Sequence, residues 1–521
     1  MTDSNSVSAS LATLGASGWA VNEIAGPGSA FRRGTTFCAI GESITGRYGL
    51  VQQAASTANV VGDGRTTVIT LASSANFTGS KLSFVYGLGI PELDGQILTC
   101  TNIDVNTFSV PSALVGNPSV IPVWNNQMRK SERGWLTWAL AYLKGKAWLL
   151  NNAAIGSSNV EWAAQTLTAQ VLNYRPDYCF CLLGVNNILT DTPSALLTKC
   201  AAIYARLLAN GIAPIVMTVL PLHQTFATFA TAQPRIMQFN TLLKGYCEKN
   251  GLFLIDSFSA ISDPAQADGR ALAGAIQGTA GDFIHPSTYG ARLVGKFVAA
   301  ALDPFLPPTV AFTTTQADNV GANASNLNLW DNAPWSTTGG AASGTGVSGA
   351  ANTPAGFNIT SSGVVASTCV VSNSARTLVA DGDIIGRNCD LTITYAEAAA
   401  IFTCTMSDVT SRLVAGKKYK YRMLLKLANT SGSNLIRVLM SMLTTYNGTN
   451  RGYISASEVD ANPTVMPYED GIYMLESPEF MVPAGQAVNS GFQPFIQFQS
   501  SAAGTAFIAS LGRGTYVQID P

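Results

Sequence analysis

The chain has 521 residues, more than one hydrophobic core supports, since such cores stop growing near about 250–300 residues, so two or three domains are expected. Charged residues make up 12% of the chain and nearly cancel to a net charge of −1 with no basic stripe, which argues against a nucleic-acid partner. No apolar run reaches about 18 residues, so no membrane span is expected, and the polar start Met1-Thr2-Asp3-Ser4-Asn5 lacks the basic and apolar segments of a secretory signal.

Residues 1–30 are small and polar and read as an N-terminal arm. Phe37 to Ile40 is a short buried strand ending at the turn Gly41-Glu42-Ser43. Between about 55 and 115 the pattern changes to short β segments, such as Thr66–Leu71, Leu82–Tyr86, Gln96–Cys100 and Ile103–Val110, parted by Gly, Asn and Asp turns. This is a small β module inserted behind Ser43. Helical periodicity returns at 134–143, 160–172, 194–210, 235–248 and 287–302. Unbroken apolar runs at 147–151, 177–183, 214–220 and 252–256 alternate with those helices. Apolar strands without alternation, interleaved with helices, predict a parallel sheet covered on both faces. Such sheets bind ligands at the carboxyl ends of their strands, where Ser43, Gly156 and Asn186 all fall. Pro286 is expected in the first turn of the last helix.

After Pro307-Pro308 the helical signal fades, and residues 307–345 read as a linker and entry segment, with Gly339–Gly346 flexible. Strand candidates at 391–395, 419–425, 436–440, 495–498 and 515–519 predict an antiparallel, jelly-roll-like β-sandwich over 346–521. The abundance of Gly, Ser, Thr, Ala and Asn there suits extracellular or virion modules.

The chain has only two histidines. His285 stands three residues after Asp282, and an imidazole held in one tautomer by a carboxylate is the usual base for acyl transfer near neutral pH. A serine on the turn leaving a buried strand is a plausible nucleophile. Ser43, Asp282 and His285 thus read as a triad split by the insertion. The nine cysteines include no zinc-spaced pairs and read as small buried hydrophobes, so neither metal nor cofactor is expected. Each site residue also has a plain structural alternative: a turn serine, a capping aspartate, a turn glycine or a structural amide.

The blocks Gly41-Glu42-Ser43, Gly156, Gly184-Val185-Asn186 and Asp282-Phe283-Ile284-His285, in that order, resemble the SGNH (GDSL-type) hydrolases. The resemblance covers about 31–48 plus 130–306 and implies a flavodoxin-like three-layer α/β/α domain over 31–306. It implies Ser43 as nucleophile, His285 as base and Asp282 as its orienting carboxylate. The implied oxyanion donors are the backbone N–H groups of Ser43 and Gly156 and the side-chain amide of Asn186. Two positions depart from the family pattern: Glu42 replaces the usual Asp, and Asn187 stands where Asp is common. With His223, which follows a strand, they are candidates for substrate contact; a solvated loop histidine is the other reading of His223. Arg47 and Tyr48 either line the entrance or belong to the surface. Trp330, Trp335 and Tyr446 either stack on sugars or pack in a core.

The insertion and C-terminal region resemble, more loosely, modules of bacteriophage tail fibres and spikes. The expected function is ester hydrolysis without cofactor, directed at O-acetyl groups on a polysaccharide. A lipase or thioesterase, and a non-catalytic glycan-binding fibre, are the alternatives. The expected setting is virion or extracellular, with a homotrimer as a candidate assembly.

Overall fold

The apolar run Thr35–Gly41 forms strand β1, buried from Phe37 onward, and the first domain is built around it. The computed structural model describes residues 35–46, 54–55, 57–71, 79–86, 93, 96–117, 124–127, 129–131, 134–154, 156, 158–277, 282–307, 339–354, 356–375, 387–406, 418–446, 449–456, 468–477, 480–481 and 488–518. The expected arm (1–30), Arg47, Tyr48, Trp330, Trp335 and most of the expected linker lie outside the described residues.

Along the chain, β1 is followed by α1 (Ser43–Gly46), α2 (Trp135–Leu143), β2 (Ala147–Asn152), α3 (Val160–Gln170), β3 (Tyr178–Leu182) and α4 (Pro193–Ala209). Then come β4 (Ala213–Met217), α5 (Phe229–Asn250), β5 (Phe253–Ile255), α6 (Ser257–Ile261) and α7 (Thr288–Leu302). The five strands pair in parallel in the order β2-β1-β3-β4-β5. That is the flavodoxin-like order, with its topological switch beside β1. Phe37, Ile40, Phe180, Ile215 and Val216 are each essentially buried in the sheet. Each such side chain contributes about 1.5–3 kcal/mol of transfer free energy.

The caps explain where the helices start. Thr192 accepts from the Ala195 N–H ahead of Pro193, the first residue of α4. Ser287 caps α7 by accepting from the Gly290 N–H at 3.0 Å. Pro286 therefore stands before the cap rather than in the first helical turn, correcting the expectation from sequence. Helix α5 starts at Phe229, ahead of the expected 235, and carries Pro234 within it.

Eight strands between Ala54 and Gln127 form an antiparallel sheet inserted between β1 and α2, with Val60, Ile69, Cys100, Phe108 and Val110 in its own core. It extends past the expected 115 because Trp124–Gln127 pairs with Ser80–Tyr86.

The C-terminal region, joined by the strand Arg129–Ser131, builds two seven-stranded sheets of mixed, mostly antiparallel pairing, with most of their buried side chains in one cluster. Gly339–Gly346, expected to be flexible, is instead tied down. Ala341–Ala342 pairs with Phe357–Ser362, and a Cβ on Gly346 would lie 2.0 Å from the Ser367 carbonyl oxygen. Glycine there serves close backbone approach. Arg129–Ser131, just before α2, pairs in parallel with Thr449–Ala456 of this region. Trp138 of α2 and Ala291 of α7 share the C-terminal core, so the first and last regions are packed together. Among the described residues, no helix is long and apolar enough to cross a membrane.

Candidate active site

Four loops meet at the carboxyl end of the parallel sheet. Ser43 follows β1, Gly156 follows β2, Gly184–Asn187 follow β3 and His223 follows β4. A Cβ on Gly156 would lie 4.0 Å from the Ser43 Cβ, so these two loops touch. Asn152 sets that approach. Its amide donates to the Thr45 carbonyl at 3.0 Å, and its Oδ1 accepts from the Ala154 N–H at 3.1 Å.

Asn186 is exposed at the rim, with one amide N–H donated to the Ser158 carbonyl at 2.7 Å. An amide nitrogen carries two hydrogens, so fixing one orients the other.

Asp282 and His285 form a closed turn. Nδ1 of His285 lies 2.9 and 3.0 Å from the two carboxylate oxygens of Asp282. Oδ1 of Asp282 also accepts the His285 backbone N–H at 3.0 Å. The carboxylate thus fixes ring and backbone together and makes Nδ1 the protonated nitrogen. Nε2 is buried and takes no hydrogen bond in the structure, so it is not bonded to Ser43 in this resting geometry. Bonds of that kind commonly tighten only when substrate is bound. The turn is moored on both sides: Gln277 N–H donates to the His285 carbonyl at 3.0 Å, and His223 N–H to the Phe283 carbonyl at 3.0 Å. The His223 ring stacks on Phe283 at 5.6 Å, is half-buried, and pairs through Nδ1 with Thr225. Burial lowers its pKa, which favours the neutral ring.

Two of the residues expected to contact substrate point elsewhere. Glu42 is 2% exposed and turns inward. Its Oε1 accepts the Gly184 N–H at 2.7 Å and its Oε2 the Val185 N–H at 2.9 Å. Gly184 has φ +113°, a conformation open to glycine, and this aims its N–H at the carboxylate. Burial pushes the Glu42 carboxyl up to about 7, against the lowering effect of the N–H groups of Gly184, Val185 and Asn186. Asn187 is 3% exposed. Its Oδ1 accepts the Val160 N–H at 3.0 Å, while its amide donates to Glu161 at 3.1 Å and to Asp191 at 2.8 Å. Lys199 pairs with both of those carboxylates. Both residues hold loops beneath the rim, and both are buried from solvent.

The neighbours of Asn187 explain its departure from the common Asp. An aspartate there would place a third carboxylate beside Glu161 and Asp191 and could donate to neither. Asn187→Asp is expected to lower stability by about 2–3 kcal/mol, read as a fall in the urea midpoint at unchanged m-value. An unshifted midpoint would remove this account of the position.

Neither the Glu42 clamp nor the Asn187 network was read from the sequence. The signal available for Glu42 was a lone carboxylate in the otherwise uncharged stretch 34–46. Among the described residues, no cluster of His, Cys, Asp and Glu is able to hold a metal.

Residues 121–293 match the family model described as "GDSL-like Lipase/Acylhydrolase family". The match starts after most of the inserted sheet, so β1 and Ser43 lie outside it. Among solved structures, the chain is similar to a GDSL-like lipase from Bacteroides thetaiotaomicron, with 14% identity, TM-score 0.28, and coverage of 33% of this chain and 83% of that one. It is also similar to the lipase/acylhydrolase from Enterococcus faecalis, with 19% identity, TM-score 0.26, and coverage of 32% and 80%. A third is a catalytic mutant of an acetylxylan esterase from Geobacillus stearothermophilus, with 12% identity, TM-score 0.31, and coverage of 52% and 96%. No curated protein matches the chain. Over residues 121–293 the chain is therefore similar to the GDSL-like lipases and acylhydrolases.

Proposed function

We propose that the α/β domain is a serine esterase acting through an acyl-Ser43 intermediate, with O-acetyl groups on a polysaccharide as its substrate class. The observation that carries this reading is the Asp282–His285 pair, with Nδ1 held by the carboxylate and Nε2 unbonded. In the first half-reaction Nε2 takes the Ser43 proton as Oγ attacks the ester carbonyl. The tetrahedral oxyanion is met by the backbone N–H groups of Ser43 and Gly156 and by the free amide hydrogen of Asn186. The intermediate collapses, and the leaving alcohol receives the proton from His285. Water then repeats the sequence, releasing the acid and restoring Ser43.

The acetyl choice is supported by the β-rich insertion and the β-rich C-terminal region that accompany the hydrolase. The two C-terminal sheets fit a jelly-roll-like sandwich, the composition of that region fits a virion or extracellular module, and the homotrimer rests on the loose resemblance to phage fibres.

The test is acetate release from p-nitrophenyl acetate and from a panel of acetylated polysaccharides, with Ser43→Ala alongside. Release by the wild type and none by the variant is expected. Activity confined to long-chain esters would favour a lipase. Equal inertness of both proteins on every ester would leave a glycan-binding fibre.

A further inference from the structure

Resting on the proposed esterase reading, we infer that Glu42 is a positioning residue whose ionised carboxylate clamps the Ser43 turn to the Asn186 turn, so that protonating it loosens the oxyanion site.

The geometry is specific. Glu42 is the residue before Ser43, and its two oxygens take the N–H groups of the two residues before Asn186, at 2.7 and 2.9 Å. Nucleophile and oxyanion donor are thereby joined through one buried side chain, with no solvent to replace a lost bond. An ionised carboxylate offers acceptors on both oxygens; once protonated, one oxygen becomes a donor and faces an N–H donor. A neutral Glu42 therefore holds only one of the two peptides.

The groups facing Glu42 favour the proton. Burial is the largest influence, and Glu161 on α3 adds repulsion. Cys200 on α4 is a buried thiol whose own pKa Glu42 helps to raise, so it supplies no positive charge. Against these stand the backbone donors alone. With the carboxyl titrating at about 7, stability and activity have opposite pH trends. The folded-state value lies above the ordinary value of 4.5. Its contribution to stability is therefore fully present below that value and is lost as pH rises through about 7, while the clamp needs the charged form that higher pH supplies.

Two measurements test the clamp. Labelling with 13C-carbonyl glycine and 15N-valine selects the amides of Val185, Val347 and Val364, the valines that follow glycine. In Ser43→Ala protein titrated from about pH 5 to about pH 9, the Val185 amide is expected to shift with one midpoint while the other two stay still. Adding Glu42→Gln should abolish that shift. A Val185 amide that does not move overturns the proposal, whether or not any ester is cleaved. The second measurement is the kinetic profile. Glu42→Gln is expected to lower kcat roughly tenfold or more with little change in KM. It should also remove one protonation from the acid limb of that profile. Glu42→Asp keeps the charge and should retain more kcat than the Gln variant. Wild-type kcat and an unchanged acid limb in Glu42→Gln would overturn the clamp and leave the esterase reading standing.

Discussion

Asp282→Asn is expected to lower kcat by roughly 10⁴-fold, the scale of loss seen when the orienting carboxylate of a serine triad becomes an amide, with KM and the fold nearly unchanged. Oδ1 of Asp282 holds the backbone N–H of His285, and an asparagine oxygen can keep that bond. The amide nitrogen then meets Nδ1. With Oδ1 already holding the backbone N–H, a donor there favours the tautomer in which Nδ1 accepts, with the ring proton on Nε2, the atom that must receive the Ser43 proton. The turn survives while the base is lost, so the effect falls on kcat. Kinetics on p-nitrophenyl acetate, beside a thermal melt, read this directly. A variant within tenfold of wild-type kcat would show that Asp282 only caps the turn, and that His285 is oriented by something else.

The parallel sheet was legible because strands buried on both faces read as unbroken apolar runs. Phe37–Ile40 and Tyr178–Leu183 are of that kind, and the runs of small or polar residues after them mark the strand exits where the site forms. The pairing of Asp282 with His285 was visible as spacing. Glu42 and Asn187 were misread because a polar side chain after a strand ordinarily faces solvent. Only the fold reveals that both turn inward to satisfy backbone N–H groups, Glu42 those of the loop after β3 and Asn187 that of Val160 at the start of α3. Helix α5 begins six residues ahead of the expected 235 and accommodates Pro234 in its second turn. The C-terminal region hid its cohesion for a similar reason. Lys420, Arg422 and Lys426 alternate with apolar residues as an outward face would, and the first two are buried all the same.

What buries them is the hydrolase, and Glu476→Gln is expected to destabilise the whole molecule by about 3–5 kcal/mol. Glu476 takes Lys420 Nζ at 2.7 Å and Arg422 Nε at 2.6 Å, with all three residues buried. The Arg422 guanidinium lies 4.1 Å from the ring centroid of Trp148 in β2, and Lys420 Nζ donates to the Leu149 carbonyl at 3.3 Å. The charges are therefore enclosed between a C-terminal sheet and the edge strand of the parallel sheet. A neutral amide at 476 leaves two cations without a counter-charge in that enclosure, and the cost is their desolvation rather than the worth of one bond. Replacing all three with apolar residues (Lys420→Met, Arg422→Met, Glu476→Leu) should recover most of the loss, because no charge is then left buried. Burial pushes the Glu476 carboxyl up, but Arg422 and Lys420 together outweigh it and hold the carboxyl below its ordinary value of 4.5. Its contribution to stability is thus present above that value and fails as pH falls through the lower folded-state value, the reverse of Glu42. Denaturant unfolding followed at both the hydrolase and the C-terminal region decides the matter. A single shared transition that moves with Glu476→Gln shows the two regions stabilising each other. Two separate transitions, with the hydrolase one unmoved, would make the C-terminal region an appended module and reduce the buried ion cluster to a local contact.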